Sequence, residues 1–161
     1  SMSMKFNATS ISPKKVGKEA EELFRGGFFC SEAVVSSIRS NFELDCPEEI
    51  IAMASGMPVG VGKSGCICGA LNGAIMAEGC FFGRTKQGDP QVDKSIAIAS
   101  ELHDWFKIAT GKNATCCRIL TKEFDKSKGE HKEQCIRYTG LCAEKLAEII
   151  IREYQLTNLD A

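Results

Sequence analysis

The chain has 161 residues, 43% of them apolar and 25% charged, the composition of one folded domain, which excludes a disordered chain. Twenty basic side chains against twenty-one acidic ones leave a net charge of −1, so the strongly basic footprint of a nucleic-acid binder is absent. Nine cysteines stand against two histidines; an odd count leaves at least one thiol unpaired, and a chain of this length does not depend on disulfide staples.

The first fifteen residues are polar and hold no apolar run of the ~7–15 residues that an export signal needs. No stretch reaches the ~18 apolar residues of a membrane span. A cytoplasmic protein in a reducing compartment is the expectation. Ser1-Met2 ahead of Met4 reads as a remnant of expression. Residues 1–9 are expected to be a flexible tail before one domain over 10–156.

Ser12-Pro13 followed by Val16, Ala20, Leu23 and Phe24 predicts a capped amphipathic helix ended by Gly26-Gly27. A second helix begins near Cys30, with Ser31 and Glu32 in its first turn and Ala33, Val34, Val35 and Ile38 as its apolar face. Pro47-Glu48-Glu49 opens a short third helix, and a glycine-rich loop follows over 56–65. The segment 68–82 is apolar and rich in Gly and Ala, and is predicted as a buried helix. Gly69, Gly73 and Ala77 place small residues on one of its faces, and glycine costs ~1 kcal/mol against alanine there, which calls for close approach of another helix. A polar turn over 83–90 leads to a long amphipathic helix over 91–109. A short helix over 117–124, a charged loop over 126–130 and a closing helix over 133–154 complete the chain. Strand signals are nearly absent, so the fold class is all-α: one domain of six or seven helices around the Gly/Ala-rich one.

The string Gly56-Met-Pro-Val-Gly-Val-Gly62-Lys63-Ser64 resembles a phosphate-binding loop but fails its spacing, and helical sequence precedes it where a strand is required. There is no C-x-x-C pair, no haem-attachment motif and no zinc-finger quartet. A cysteine–histidine dyad through His103 or His131 finds no support in the sequence.

Cys30, Cys68 and Cys117 each follow a glycine-bearing break at a predicted helix start. Backbone N–H groups and the positive end of the helix dipole favour a thiolate there, so lowered thiol pKa values are expected. In the last helix His131, Cys135 and Cys142 share one face, bordered by Tyr138. His131 in its charged stretch reads more readily as solvated, and Cys142 more readily as core.

Cys30-Ser-Glu-Ala-Val, the glycine loop, Cys68-Gly-Ala-Leu-Asn-Gly-Ala, Cys117-Arg-Ile-Leu and Cys135 on a closing helix together resemble the redox-active C_GCAxxG_C_C family. The likeness spans about Lys15 to Glu153. Residue by residue, it assigns the family's four cysteines to Cys30, Cys68, Cys117 and Cys135. The Gly65-Cys66-Ile67-Cys68-Gly69-Ala70 stretch leaves Cys66 as an alternative to Cys68. Cys46, Cys80, Cys116 and Cys142 default to packing. A related helical domain in split-Soret cytochromes implies an iron–sulfur cluster on the four cysteines, [2Fe–2S] or [4Fe–4S], with His131 as a further candidate ligand. An electron carrier or redox sensor is the leading expectation, with an unidentified redox partner, no nucleic acid, no membrane and scope for a homodimer. Three alternatives stand beside it: a metal-free thiol–disulfide protein pairing Cys30 with Cys68 or Cys117 with Cys135, structural zinc on the same four thiols, and a helical interaction module.

Overall fold

Ser12 caps the first helix as the sequence predicts. Its side chain accepts from Lys15 N and Pro13 fills the first helical position of α1, which runs over Pro13–Arg25 in the computed structural model of residues 4–161. Asp160 reinforces this start from the far end of the chain, accepting from Ser12 Oγ at 2.6 Å and from Lys14 N at 2.9 Å. There follow α2 (Cys30–Asn41), α3 (Glu49–Ala52), α4 (Gly69–Phe82), α5 (Val92–Ala109), α6 (Cys117–Leu120), a 3-10 turn over Lys126–Lys128, and α7 (Lys132–Tyr154). The fold is all-α, as expected. Among the described residues its one sheet is a parallel pair, β1 (Ser10–Ile11) with β2 (Thr157–Asn158). Two residues are too few to leave a period-2 signature, so no pattern announces it.

The helix predicted over 117–124 stops at Leu120, where Thr121 Oγ1 donates back to Cys117 O. Of the tail expected over 1–9, residues 4–9 lie along the body. Met4 N donates to Cys80 O at 3.0 Å, Asp45 N donates to Lys5 O at 2.7 Å, and the Phe6 ring meets Phe42 and Tyr154 edge-on. Residues 1–3 lie outside those described.

Helices α2, α4 and α7 form the centre; α1 covers α2 and α7, and α5 covers α4. Leu71, Ala74 and Phe81 of α4 are fully buried, in keeping with its apolar composition. Its small face is a backbone contact: a methyl group on Gly73 would lie 2.8 Å from Ser31 O of α2. Gly17 plays the same part between α1 and α7, where a methyl group would lie 2.7 Å from Gly140 O. No helix among the described residues is long and apolar enough to cross a membrane.

The glycine-rich loop holds a conformation that its composition does not announce. Val59, Gly60, Val61, Gly62 and Lys63 all have positive φ, between 54° and 68°, a left-handed turn that includes two β-branched residues. Bonds from Val61 N to Met57 O, Lys63 N to Pro58 O and Cys66 N to Gly60 O hold it. Such a conformation persists only where its surroundings over-determine it, and functional sites are where these outliers cluster. The turn ends at the cysteines.

Candidate functional site

Three helix starts deliver three thiols. Cys30 is the first residue of α2, Cys68 caps α4, and Cys117 opens α6. An isolated antiparallel bridge, Ile67 with Cys116, sets the last two side by side, with Cys68 N donating to Thr115 O at 2.8 Å and Cys117 N to Cys66 O. Cys135 comes from the first turn of α7, its N–H bonded to His131 O at 3.1 Å. All four line one cavity of about 80 Å³, together with Phe24, Phe29, Val59 and His131. Cys30 and Cys117 are buried, and Cys68 and Cys135 half-buried.

The cavity's electrostatics run against the expectation from helix starts. The N–H groups of Ala70 and Leu71 do face the Cys68 sulfur, short of a closed cap hydrogen bond, and favour its thiolate. Burial outweighs them and pushes Cys68 up to about 11. Burial, then Cys68 and Cys117, push Cys135 up to about 12 against the pull of Lys126. Cys30 is raised further still, by burial first and then by Cys68 and Cys135, and Cys117 is raised by burial. The lowered thiol pKa values are therefore corrected: depth inside the protein dominates the dipole. These thiols hold their protons at neutral pH until a cation displaces them.

The other sequence candidates fall elsewhere or to one side. Cys66 is exposed outside the cavity, its Sγ 3.9 Å from Ser64 O, so Cys68 is the thiol that faces in. His131 lines the cavity, and its Nδ1 is buried with no hydrogen-bond partner among the described residues. Cys142 is fully buried in α7 and raised by burial, then by Cys68 and Cys30. His103 lies exposed on α5, bonded to Asp104. Phe29 and Val59, which the sequence reading passes over, supply apolar wall; the exposure of Phe29, 51% beside a buried cysteine, sets it apart from core aromatics.

Among the described residues no three or more Cys, His, Asp or Glu side chains are arranged to hold a metal ion. The thiols thus surround a space without closing on a point. That space equals two or three water volumes at ~30 Å³ each, far below the ~300–1,000 Å³ of pockets for organic cofactors. Four thiols around a small, partly apolar cavity, with backbone N–H groups aimed at one sulfur, fit the donor set of an iron–sulfur cluster. A family model described as "Putative redox-active protein (C_GCAxxG_C_C)" matches residues 28–149. The chain belongs to this family. Its name attributes redox activity to its members, and all four assigned cysteines lie within the matched span. No curated protein and no solved structure matches the chain.

Proposed function

We propose that the protein is an electron carrier or redox sensor that holds an iron–sulfur cluster through Cys30, Cys68, Cys117 and Cys135. The observation that carries this reading is the meeting of these four thiols, from four separate helices, on one cavity of about 80 Å³. When bound, the cluster supplies a one-electron couple that no protein side chain here offers. The chain's own residues do the rest. Each thiol gives up its proton to become a ligand, and the Ala70 and Leu71 N–H groups and Lys126 offset the charge left behind. Phe29 and Val59 limit water at the cavity. Exposure and N–H groups near sulfur are the levers that set the potential of such a centre. Mononuclear zinc is the weaker reading, because its four sulfurs must lie ~2.3 Å from one point.

The test is purification and reconstitution without oxygen, with iron and acid-labile sulfide counted per chain and the visible spectrum recorded. Bound iron and sulfide with a sulfur-to-iron charge-transfer band are expected. Single Ser replacements at the four cysteines should each lower the iron content, while Cys46→Ser and Cys80→Ser should not. A colourless protein after anaerobic reconstitution overturns the proposal. Stoichiometric zinc would then assign the zinc reading, and loss of thiols in pairs on oxidation would assign a disulfide couple.

A further inference from the structure

Two cysteines and three methionines outside the site converge on a second cavity, of about 480 Å³: Cys46, Cys80, Met4, Met53 and Met76 all line it. The chain places them there by different routes. Cys80 and Met76 lie four residues apart on α4, Cys46 precedes α3, and Met53 follows it. The N-terminal segment brings Met4: its N–H donates to Cys80 O, and the next residue, Lys5, accepts from Asp45 N beside Cys46. Cys80 is buried, 7% exposed, and its proton is held by burial and then by the neighbouring Cys46. Core packing needs no such gathering of sulfur around an open cavity, and the redox reading leaves both thiols unused.

We infer that Cys46 and Cys80, with the thioethers of Met4 and Met76, form a second site that takes a soft monovalent cation, Cu(I). Thiolate and thioether donors select Cu(I) over harder ions, whereas zinc takes nitrogen, thiolate and carboxylate in fours. Methionine arms rotate about three bonds, so the cavity can draw in around an ion smaller than itself. Binding exchanges protons for metal: Cu⁺ displaces two protons from the two thiols, and no electron moves. The resulting site carries a net charge of −1, and Arg84 in the same wall supplies a compensating cation.

The test is Cu(I) alone, delivered without oxygen to the reduced full-length protein against a chromophoric Cu(I) chelator, with X-ray absorption at the copper edge. Cys46→Ser/Cys80→Ser should take up one equivalent fewer than the parent chain while circular dichroism stays helical. Met4→Leu/Met76→Leu preserves volume and both thiols; it should bind Cu(I) more weakly and with fewer sulfur neighbours at that ion. Zinc should not displace this copper. Equal uptake by the cysteine variant, an unchanged sulfur shell in the methionine variant, or displacement by zinc overturns the assignment. Should the cysteine variant fail to fold, the methionine variant still decides. Because the four-thiol cavity is intact in both variants, neither outcome bears on the iron–sulfur reading.

Discussion

The two ends of α4 carry the same element, sulfur, in opposite settings. At its start Cys68 joins three other thiols delivered by helix starts and a helix face, around about 80 Å³. Near its end Cys80 joins one thiol and three flexible thioethers around about 480 Å³. Twelve residues of helix, ~18 Å, separate Cys68 from Cys80. The first cavity is tightly packed: a methyl group on Gly69 would sit 2.5 Å from Cys30 Sγ and 3.3 Å from Met57 O. The second is loose, for a methyl group on Gly79 in its wall would meet nothing within 4 Å. Rigid thiols at close quarters suit a fixed inorganic centre, and mobile thioethers suit an ion that must be gathered in.

A methyl group at each glycine is the most direct way to break this contrast. Gly69→Ala should displace the Cys30 thiol and reduce iron loading to the level of the Cys30→Ser variant, the largest effect expected of any change outside the cysteines. Gly79→Ala should leave metal uptake unchanged and raise stability by about 0.5–1 kcal/mol, the usual return for alanine over glycine in a helix. Iron content and denaturant midpoints of the two variants decide. Normal iron in Gly69→Ala would mean that the first cavity yields as readily as the second.

Glu78, two residues before Cys80, is the buried charge at the loose end. Residue 78 is 2% exposed; Ser95 Oγ donates to one carboxylate oxygen, and the other is buried with no partner among the described residues. Burial raises its pKa from 4.5 to about 7, against the Ser95 bond. Between those values the folded protein holds a proton that the unfolded chain has released, so this group's contribution to stability falls as pH rises through the window and levels off above about 7. Glu78→Gln keeps the acceptor and removes the titration. It should flatten the fall of Tm between pH 5 and pH 8 and add about 1–2 kcal/mol at the alkaline end, allowing for screening. Parallel pH profiles for variant and parent would show that the carboxylate is not the source.

The sequence shows some of this contrast and hides the rest for physical reasons. Long helices such as α1, α5 and α7 carry enough turns for their apolar period to be read, and Gly and Pro breaks mark where Cys30, Cys68 and Cys117 begin theirs. Spacing along the chain says nothing of the meeting of those starts, since the approach of α2, α4 and α6 is a tertiary event. Only the resemblance to the family groups the four cysteines. The thiol pKa values lie above the ordinary range, opposite to what helix position implies, because helix position is visible in sequence and burial depth is not. The left-handed run from Val59 to Lys63 was hidden for a similar reason, valine being among the residues least expected there. Cys46 and Cys80 read as packing because neither has a counterpart in the family pattern, and Met4, distant from both in sequence, comes beside Cys80 only through the fold.

Cys66 should produce the smallest effect of all, and that is what makes it informative. It stands two residues before Cys68 on an extended segment, a spacing at which alternate side chains share a face. Proximity alone would therefore make it a ligand. Its backbone, though, already has the structural role: Cys66 O accepts from Cys117 N and Cys66 N donates to Gly60 O, tying the left-handed turn to α6. The thiol is left outside, exposed, beside Ser64 O. Cys66→Ser keeps both backbone bonds and nearly the same volume, so iron per chain should equal that of the parent, and stability should stay within about 0.5 kcal/mol, as for other surface substitutions. Loss of iron matching Cys68→Ser would make Cys66 part of the centre, and the boundary drawn here between a closed thiol cavity and the surface beside it would have to move outward by two residues.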